Sequence, residues 1–209
     1  MEKDVKDQII KIIGFFLLFL GIFAIAYELI NKNPDEILWL CYIALIILGI
    51  AIIQKNKGLI LAEISILAIP LAIWNIDFLY YIITKTPLLG LTDYFFSPSR
   101  DIVANIISLQ HFYTIPLALI ALILIKQKVN FKVSRVIEIS FIQMTILFVL
   151  GRIFTPPEVN MNCVFKSCIP ITINLPYPIV WFSATFIMIF LSASAIKLIM
   201  RLSQKTHKK

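Results

Sequence analysis

Six apolar segments fill most of this 209-residue chain, near residues 12–30, 37–53, 59–83, 102–125, 133–153 and 179–200. Each has about 17 to 25 residues, the length a helix needs to cross roughly 30 Å of hydrocarbon. Lipid offers the backbone no hydrogen-bonding partner, so segments of this kind are helices. The sequence therefore reads as one all-α integral membrane domain over residues 1–209, a polytopic bundle of six transmembrane helices. With 60% hydrophobic and 15% charged residues, the spans and their short connections use up the chain and leave no room for a soluble catalytic domain. Any chemistry has to take place in or at the membrane.

Lys and Arg set the expected orientation. The N-terminal segment (Lys3, Lys6, Lys11), the second loop (Lys55, Lys57), the fourth loop (Lys126, Lys128, Lys132, Arg135) and the C-terminal segment (Lys197, Arg201, Lys205, Lys208, Lys209) hold fourteen of the nineteen. The odd loops hold five, namely Lys32, Lys85, Arg100, Arg152 and Lys166. Basic residues mark cytoplasmic loops, so both termini are expected in the cytoplasm of a multi-pass cell-membrane protein. The net charge of +7 is spread over loop ends and tails with no basic stripe, which argues against a nucleic-acid partner and leaves membrane lipid as the expected one. Ala24-Ile25-Ala26 has the form of a signal-peptide cleavage site. The apolar run continues past it to Ile30, and Glu2, Asp4 and Asp7 precede it, so a retained first span is expected.

Residues seven apart return to nearly the same side of a helix. Three such stripes are expected to line the bundle: Gly14, Gly21 and Glu28; Glu63, Pro70 and Asp77; Glu138, Thr145 and Arg152. Small residues let backbones approach, and polar ones find partners across the interface. Glu63 and Glu138 fall near the inner face, where a loop Lys or Arg is the expected partner.

Candidate chemistry concentrates between Pro70 and Pro116. Trp74-Asn75-Ile76-Asp77 and Ser108-Leu109-Gln110-His111 place ionisable groups where lipid is expected. An ionised side chain at the centre of a span costs roughly 2.5 to 3.5 kcal/mol on the insertion scale, so these residues face a bundle interior and mark candidate sites. Counted from the outer ends, Cys41 lies about 8 Å deep, Asp77 about 9 Å, Asn75 about 12 Å and His111 about 13 Å. Asn105, Ser108 and His111 form a slanted stripe, and Pro116 is expected to loosen the helix one turn beyond. His111 is the side chain suited to general-base work near neutral pH, with Asp77 or Asn75 to orient its ring. The structural alternative is a neutral His111 bonded to a neighbouring helix, with Asp77 paired to Arg100 or Arg152. Cys41 becomes a nucleophile only where a base such as His111 reaches it, and otherwise packs as a small hydrophobe.

The loop over residues 84–100 is apolar and aromatic and is expected to lie in the interface, as an anchor or as a lid. The next outer loop carries Cys163 and Cys168, whose spacing and expected compartment favour a disulfide. C-x4-C with neither His111 nor His207 placed to join it makes no metal site, and no cofactor is expected.

Leu38-Trp39-Leu40-Cys41 and Ser108-Leu109-Gln110-His111-Phe112-Tyr113-Thr114-Ile115-Pro116 resemble segments of the multi-span YwaF-like integral membrane proteins. That group is similar to a vertebrate Cys/His-dependent phospholipid acyltransferase and, more remotely, to androgen-induced hydrolases of fatty-acid esters. The resemblance implies Cys41 as nucleophile and His111 as base, although Tyr42 follows Cys41 where the acyltransferase has His. The expected function is accordingly a lipid acyl hydrolase or acyltransferase, with Asp77 completing the catalytic set and Trp74, Asn75, Ser108 and Gln110 contacting substrate. The alternative is a non-catalytic transporter or small-molecule binder with a polar path through Glu28, Asp77, His111 and Arg152.

Overall fold

In a computed structural model, residues 3–125, 132–169 and 174–206 are described, all in helices, turns and loops with no strand among them. Lys126, Lys128, His207, Lys208 and Lys209, together with Glu2, lie outside the described residues. The helices are α1 (Lys3–Ile30), α2 (Leu40–Ile53), α3 (Lys57–Thr84), α4 (Ile102–Ser108), α5 (Gln110–Leu124), α6 (Val133–Phe154) and α7 (Tyr177–Thr206). Five spans are long and apolar enough to cross a membrane: α1, α3, α4 with α5, α6 and α7. Phe15, Phe19, Ile22, Ile123, Ile146, Ile187 and Phe190 are exposed on their outer faces, as a lipid-embedded bundle requires.

The second expected span differs. Its helix α2 has 14 residues, about 21 Å of rise, and a 3₁₀ turn over Pro34–Leu38 covers the rest of the approach. The helix begins at Leu40 because the Leu40 N–H is taken at 2.8 Å by the side-chain oxygen of Asn162, far away in sequence. At its other end the Lys55 and Asn56 N–H groups bond the Ile52 and Ala51 carbonyls, and the Asn56 side chain then caps α3 through the Leu59 N–H at 3.2 Å.

Central in the bundle is α3, which packs against α2, α5, α6 and α7. Against α2 lies α1, and the two backbones meet through glycines. A Cβ on Gly49 would sit 2.6 Å from the Leu18 nitrogen and 2.8 Å from the Gly14 carbonyl oxygen, so this crossing admits no side chain. Gly14, Gly21 and Glu28 are buried along α1 as the seven-residue stripe required, and Glu63 and Asp77 are buried along α3.

The stripe on α6 does not line the bundle. Its buried face is Val136, Ser140, Met144, Leu147, Phe148 and Gly151, whereas Glu138 and Arg152 are exposed. Apolar and small side chains packed on α3 and α7 fix the rotation of α6. Arg152 turns back at the helix end to donate to the Val164 carbonyl at 3.0 Å and to lie over the Phe148 and Phe165 rings. Glu63 also departs from expectation. Among the described residues it makes no salt bridge, its Oε1 is buried without a partner, and its neighbour is the Gln143 side chain of α6.

Two ends of the bundle are chemically distinct. One gathers Lys3, Lys6, Lys11, Lys55, Lys57, Lys132 and Arg135, with Lys55 paired to Asp7 at 2.8 Å. The other gathers Trp39, Trp74, Tyr94, Phe95, Phe96, Trp181 and the candidate site.

Candidate functional site

At the aromatic end the α4–α5 span tightens at Leu109. There the Phe112 N–H bonds the Leu109 carbonyl at 3.1 Å rather than the Ser108 carbonyl a full turn back. The irregularity therefore lies at Leu109, two residues before His111, whereas at Pro116 the helix continues. It frees the Ser108 carbonyl, which faces His111 Nδ1 at 2.5 Å. A carbonyl only accepts, so this contact assigns the proton to Nδ1 and leaves Nε2 with its lone pair in the neutral ring. Gln110 Nε2 lies 3.4 Å from that Nε2, in position to donate to it.

Gln110 is 1% exposed and locked. Its Oε1 accepts from Thr114 Oγ1 at 2.9 Å, while the same hydroxyl reaches the Gln110 carbonyl at 2.7 Å. With the oxygen committed to Thr114, the amide nitrogen points toward His111, and the Gln110 side chain also lies beside the Cys41 thiol. The Gln110 amide thus neighbours both Cys41 and His111. Both are half-buried, and Cys41 packs beside Ala24, Tyr42 and Ile107.

Trp74 supplies the platform. Its indole stacks on the His111 ring at 4.4 Å and 16° and stacks on Phe78 at 5.0 Å, with Phe112 edge-on. The indole N–H donates to the Tyr94 hydroxyl at 3.1 Å. That hydroxyl lies beside Ser108, whose own Oγ donates to the Ala104 carbonyl. Burial raises the Tyr94 phenol above its ordinary value, so it stays a neutral donor and acceptor. The Arg100 guanidinium lies over the Tyr94 ring at 4.9 Å with its Nε buried and unpartnered. Asn75 holds the backbone: its Nδ2 donates to the His111 carbonyl at 3.1 Å.

Asp77 is not part of this group. Fully buried, it accepts from the Leu89 N–H at 2.6 Å and from the Thr92 N–H and hydroxyl at 2.9 Å each. Both oxygens are committed to the loop, so Asp77 neither orients the His111 ring nor pairs with Arg100 or Arg152. A buried carboxylate is stabilised by such charge-assisted bonds, and here they fold the 84–100 loop back over the bundle. The 3₁₀ turn Asp93–Phe96 then sets Phe95 and Phe96 against Trp74, Phe78 and Tyr81.

Flanking the site, Glu28 accepts from the Tyr42 hydroxyl at 3.2 Å and from Asn33 at 3.4 Å. The Tyr27 hydroxyl donates to Asp101, a contact that holds the Asp101 carboxyl below its ordinary value. Cys163 and Cys168 are disulfide-bonded. Among the described residues, no group of three or more His, Cys, Asp or Glu side chains is placed to hold a metal.

Thr114, Tyr94 and Asn162 belong to the site or its support without having been singled out by sequence. Thr114 had a local signal, since it lies four residues after Gln110 on the same helix face. Tyr94 and Asn162 act across tertiary contacts that leave no spacing to read. No protein-family model matches the chain, and comparisons with curated proteins and with solved structures give no match, so the site's own geometry carries the functional argument.

Proposed function

We propose that this chain is a membrane-embedded acyl hydrolase or acyltransferase acting on lipid esters, with Cys41 as nucleophile and His111 as general base. The observation that supports it is the Gln110 amide, which lies beside the Cys41 thiol and 3.4 Å from the free Nε2 of His111. When a substrate carbonyl takes the amide N–H, the thiol is left facing Nε2 and passes its proton there. The resulting thiolate attacks the ester carbonyl. Gln110 then donates to the developing oxyanion, a role for which a fixed amide donor contributes about 100-fold or more. As the tetrahedral intermediate collapses, the proton on Nε2 goes to the departing alcohol oxygen and the acyl group remains on sulfur. Water, or the hydroxyl of a second lipid, releases it with His111 again as base.

The Ser108 carbonyl keeps the imidazole in the tautomer these steps need, and the stacked Trp74 ring holds its plane. Arg100, at the mouth of the site, offers a cation to an acidic headgroup. The basic residues collected at the opposite end support a cytoplasmic orientation for that end and both termini, with the ester entering from the outer leaflet. Purified protein in lipid nanodiscs is expected to release fatty acid from a lipid ester, and His111→Ala, Cys41→Ala and Gln110→Leu should each suppress release while the bundle remains folded. Release that survives His111→Ala would refute the proposal.

A further inference from the structure

Three residues in the Cys163 loop, Asn160, Asn162 and Cys163, adopt φ values of 47°, 51° and 57°. Asn tolerates this left-handed region, but Cys does not enter it without restraint. The disulfide to Cys168 supplies the restraint. Inside the closed ring the Asn160 side chain acts as its filling. Its oxygen accepts from the Phe165 and Lys166 N–H groups at 3.0 Å each, and its nitrogen donates to the Lys166 carbonyl at 3.0 Å. The Tyr177 hydroxyl and the Trp181 indole bond the Cys163 and Asn162 carbonyls at 2.6 and 3.1 Å, fixing the ring on α7.

Immediately before the ring stands Asn162, whose side chain reaches α2. Its oxygen accepts from the Leu40 N–H at 2.8 Å and its nitrogen donates to the Leu38 carbonyl at 2.8 Å. Trp39, the residue at the N-cap position of α2, makes no side-chain cap. Asn162 therefore caps α2 from across the molecule, satisfying one of the N–H groups that a helix start leaves open. The residue after Leu40 is Cys41.

We propose that the Cys163–Cys168 disulfide regulates the Cys41 site by holding Asn162 as the cap of α2, so that reduction of the bond disengages the nucleophile. This rests on the reading of Cys41 as the nucleophile. The reductant is a dithiol: it gives two electrons and two protons to the Cys163–Cys168 bond, yielding two thiols, and is itself oxidised to a disulfide. Cys163 then relaxes out of the left-handed region, Asn162 turns away from Leu38 and Leu40, and the first turn of α2 opens. Asn162 is a positioning residue, acting on Cys41 only through the backbone of α2.

The test uses the full chain in nanodiscs, comparing wild type with Cys163→Ser/Cys168→Ser, where Cys41 is the sole thiol, and with Asn162→Gly, which keeps the left-handed conformation but loses the cap. Two rates are read by peptide mass: alkylation of Cys41 by a small maleimide, and acylation of Cys41 by an activated fatty-acyl ester. Alkylation about tenfold faster and acylation about tenfold slower in both variants is the expected result. Alkylation within twofold of wild type overturns the coupling, and faster alkylation with unchanged acylation overturns the regulatory role. Absence of acylation in wild type refutes the Cys41 enzyme reading itself, and the alkylation rates then decide on their own whether the disulfide controls α2.

Discussion

The two ends of the bundle are held by different means. At the lysine end, α1, α2 and α3 close on Leu17, Leu45, Leu48, Ile52, Ile60 and Ile64, with glycines letting the backbones touch. At the aromatic end, side chains hydrogen-bond to backbone groups of distant segments: Asp77 to Leu89 and Thr92, Asn75 to His111, Asn105 to Phe95, Asn162 to Leu38 and Leu40. Close packing suits a region that only has to be stable, because dispersion and small-residue contact lose nothing to lipid. Directional bonds suit a region that, on the proposed function, holds a thiol, an imidazole and an amide in fixed relation.

The contrast is broken most severely at Gly49. A Gly49→Val substitution drives a side chain into the α1 backbone, and a loss of about 3 kcal/mol, enough to prevent assembly of α1 on α2, is expected in detergent unfolding experiments. An unaltered unfolding midpoint would show that the lysine end is looser than its geometry indicates. At the aromatic end, His111→Ala should lower ester turnover about 100-fold or more, as loss of a general base does, while the unfolding midpoint moves far less than in Gly49→Val. Comparable loss of stability in both variants would mean that His111 serves packing.

Asp77→Ala separates loop support from chemistry. Removing the acceptor of three bonds is expected to cost about 2 kcal/mol and to raise hydrogen exchange at the Leu89 and Thr92 amides, with ester turnover reduced only as far as the aromatic cover over Trp74 loosens. The smallest effect is expected at Asp101. Its carboxyl is held low by the Tyr27 hydroxyl, so its contribution is present at neutral pH, where folded and unfolded forms are both ionised. That contribution fades as pH falls below the ordinary carboxylate value and through the lowered one. Between pH 7 and pH 3 the wild-type thermal midpoint should therefore drop slightly more than that of Asp101→Asn.

Much of the lysine end was legible in the sequence. The apolar runs gave the helices, and the seven-residue return of Gly14, Gly21 and Glu28 gave the buried face of α1, because both depend on local periodicity. The spacing of Cys163 and Cys168 likewise pointed to their bond. Apart from Glu28 and that disulfide, the aromatic end was legible only as a set of residue types. Nothing in the chain announces that Asp77 is spent on a loop 12 to 15 residues ahead, or that Asn162 caps a helix 122 residues behind. The stripe on α6 failed for a related reason. Glu138, Thr145 and Arg152 have the right spacing, but the apolar row through Val136, Ser140, Met144 and Phe148 packs better on α3 and α7, and the charged ends turn outward.

On the proposed function, Cys41, Gln110 and His111 form one acyl-transfer site. Its most direct test is peptide mass analysis of the full chain in nanodiscs after incubation with an activated fatty-acyl ester. An acyl adduct on Cys41 is expected in wild type, at least 100-fold slower to form in His111→Ala, with no adduct elsewhere in Cys41→Ala. An unmodified Cys41, or one acylated at the same rate without His111, would contradict the account.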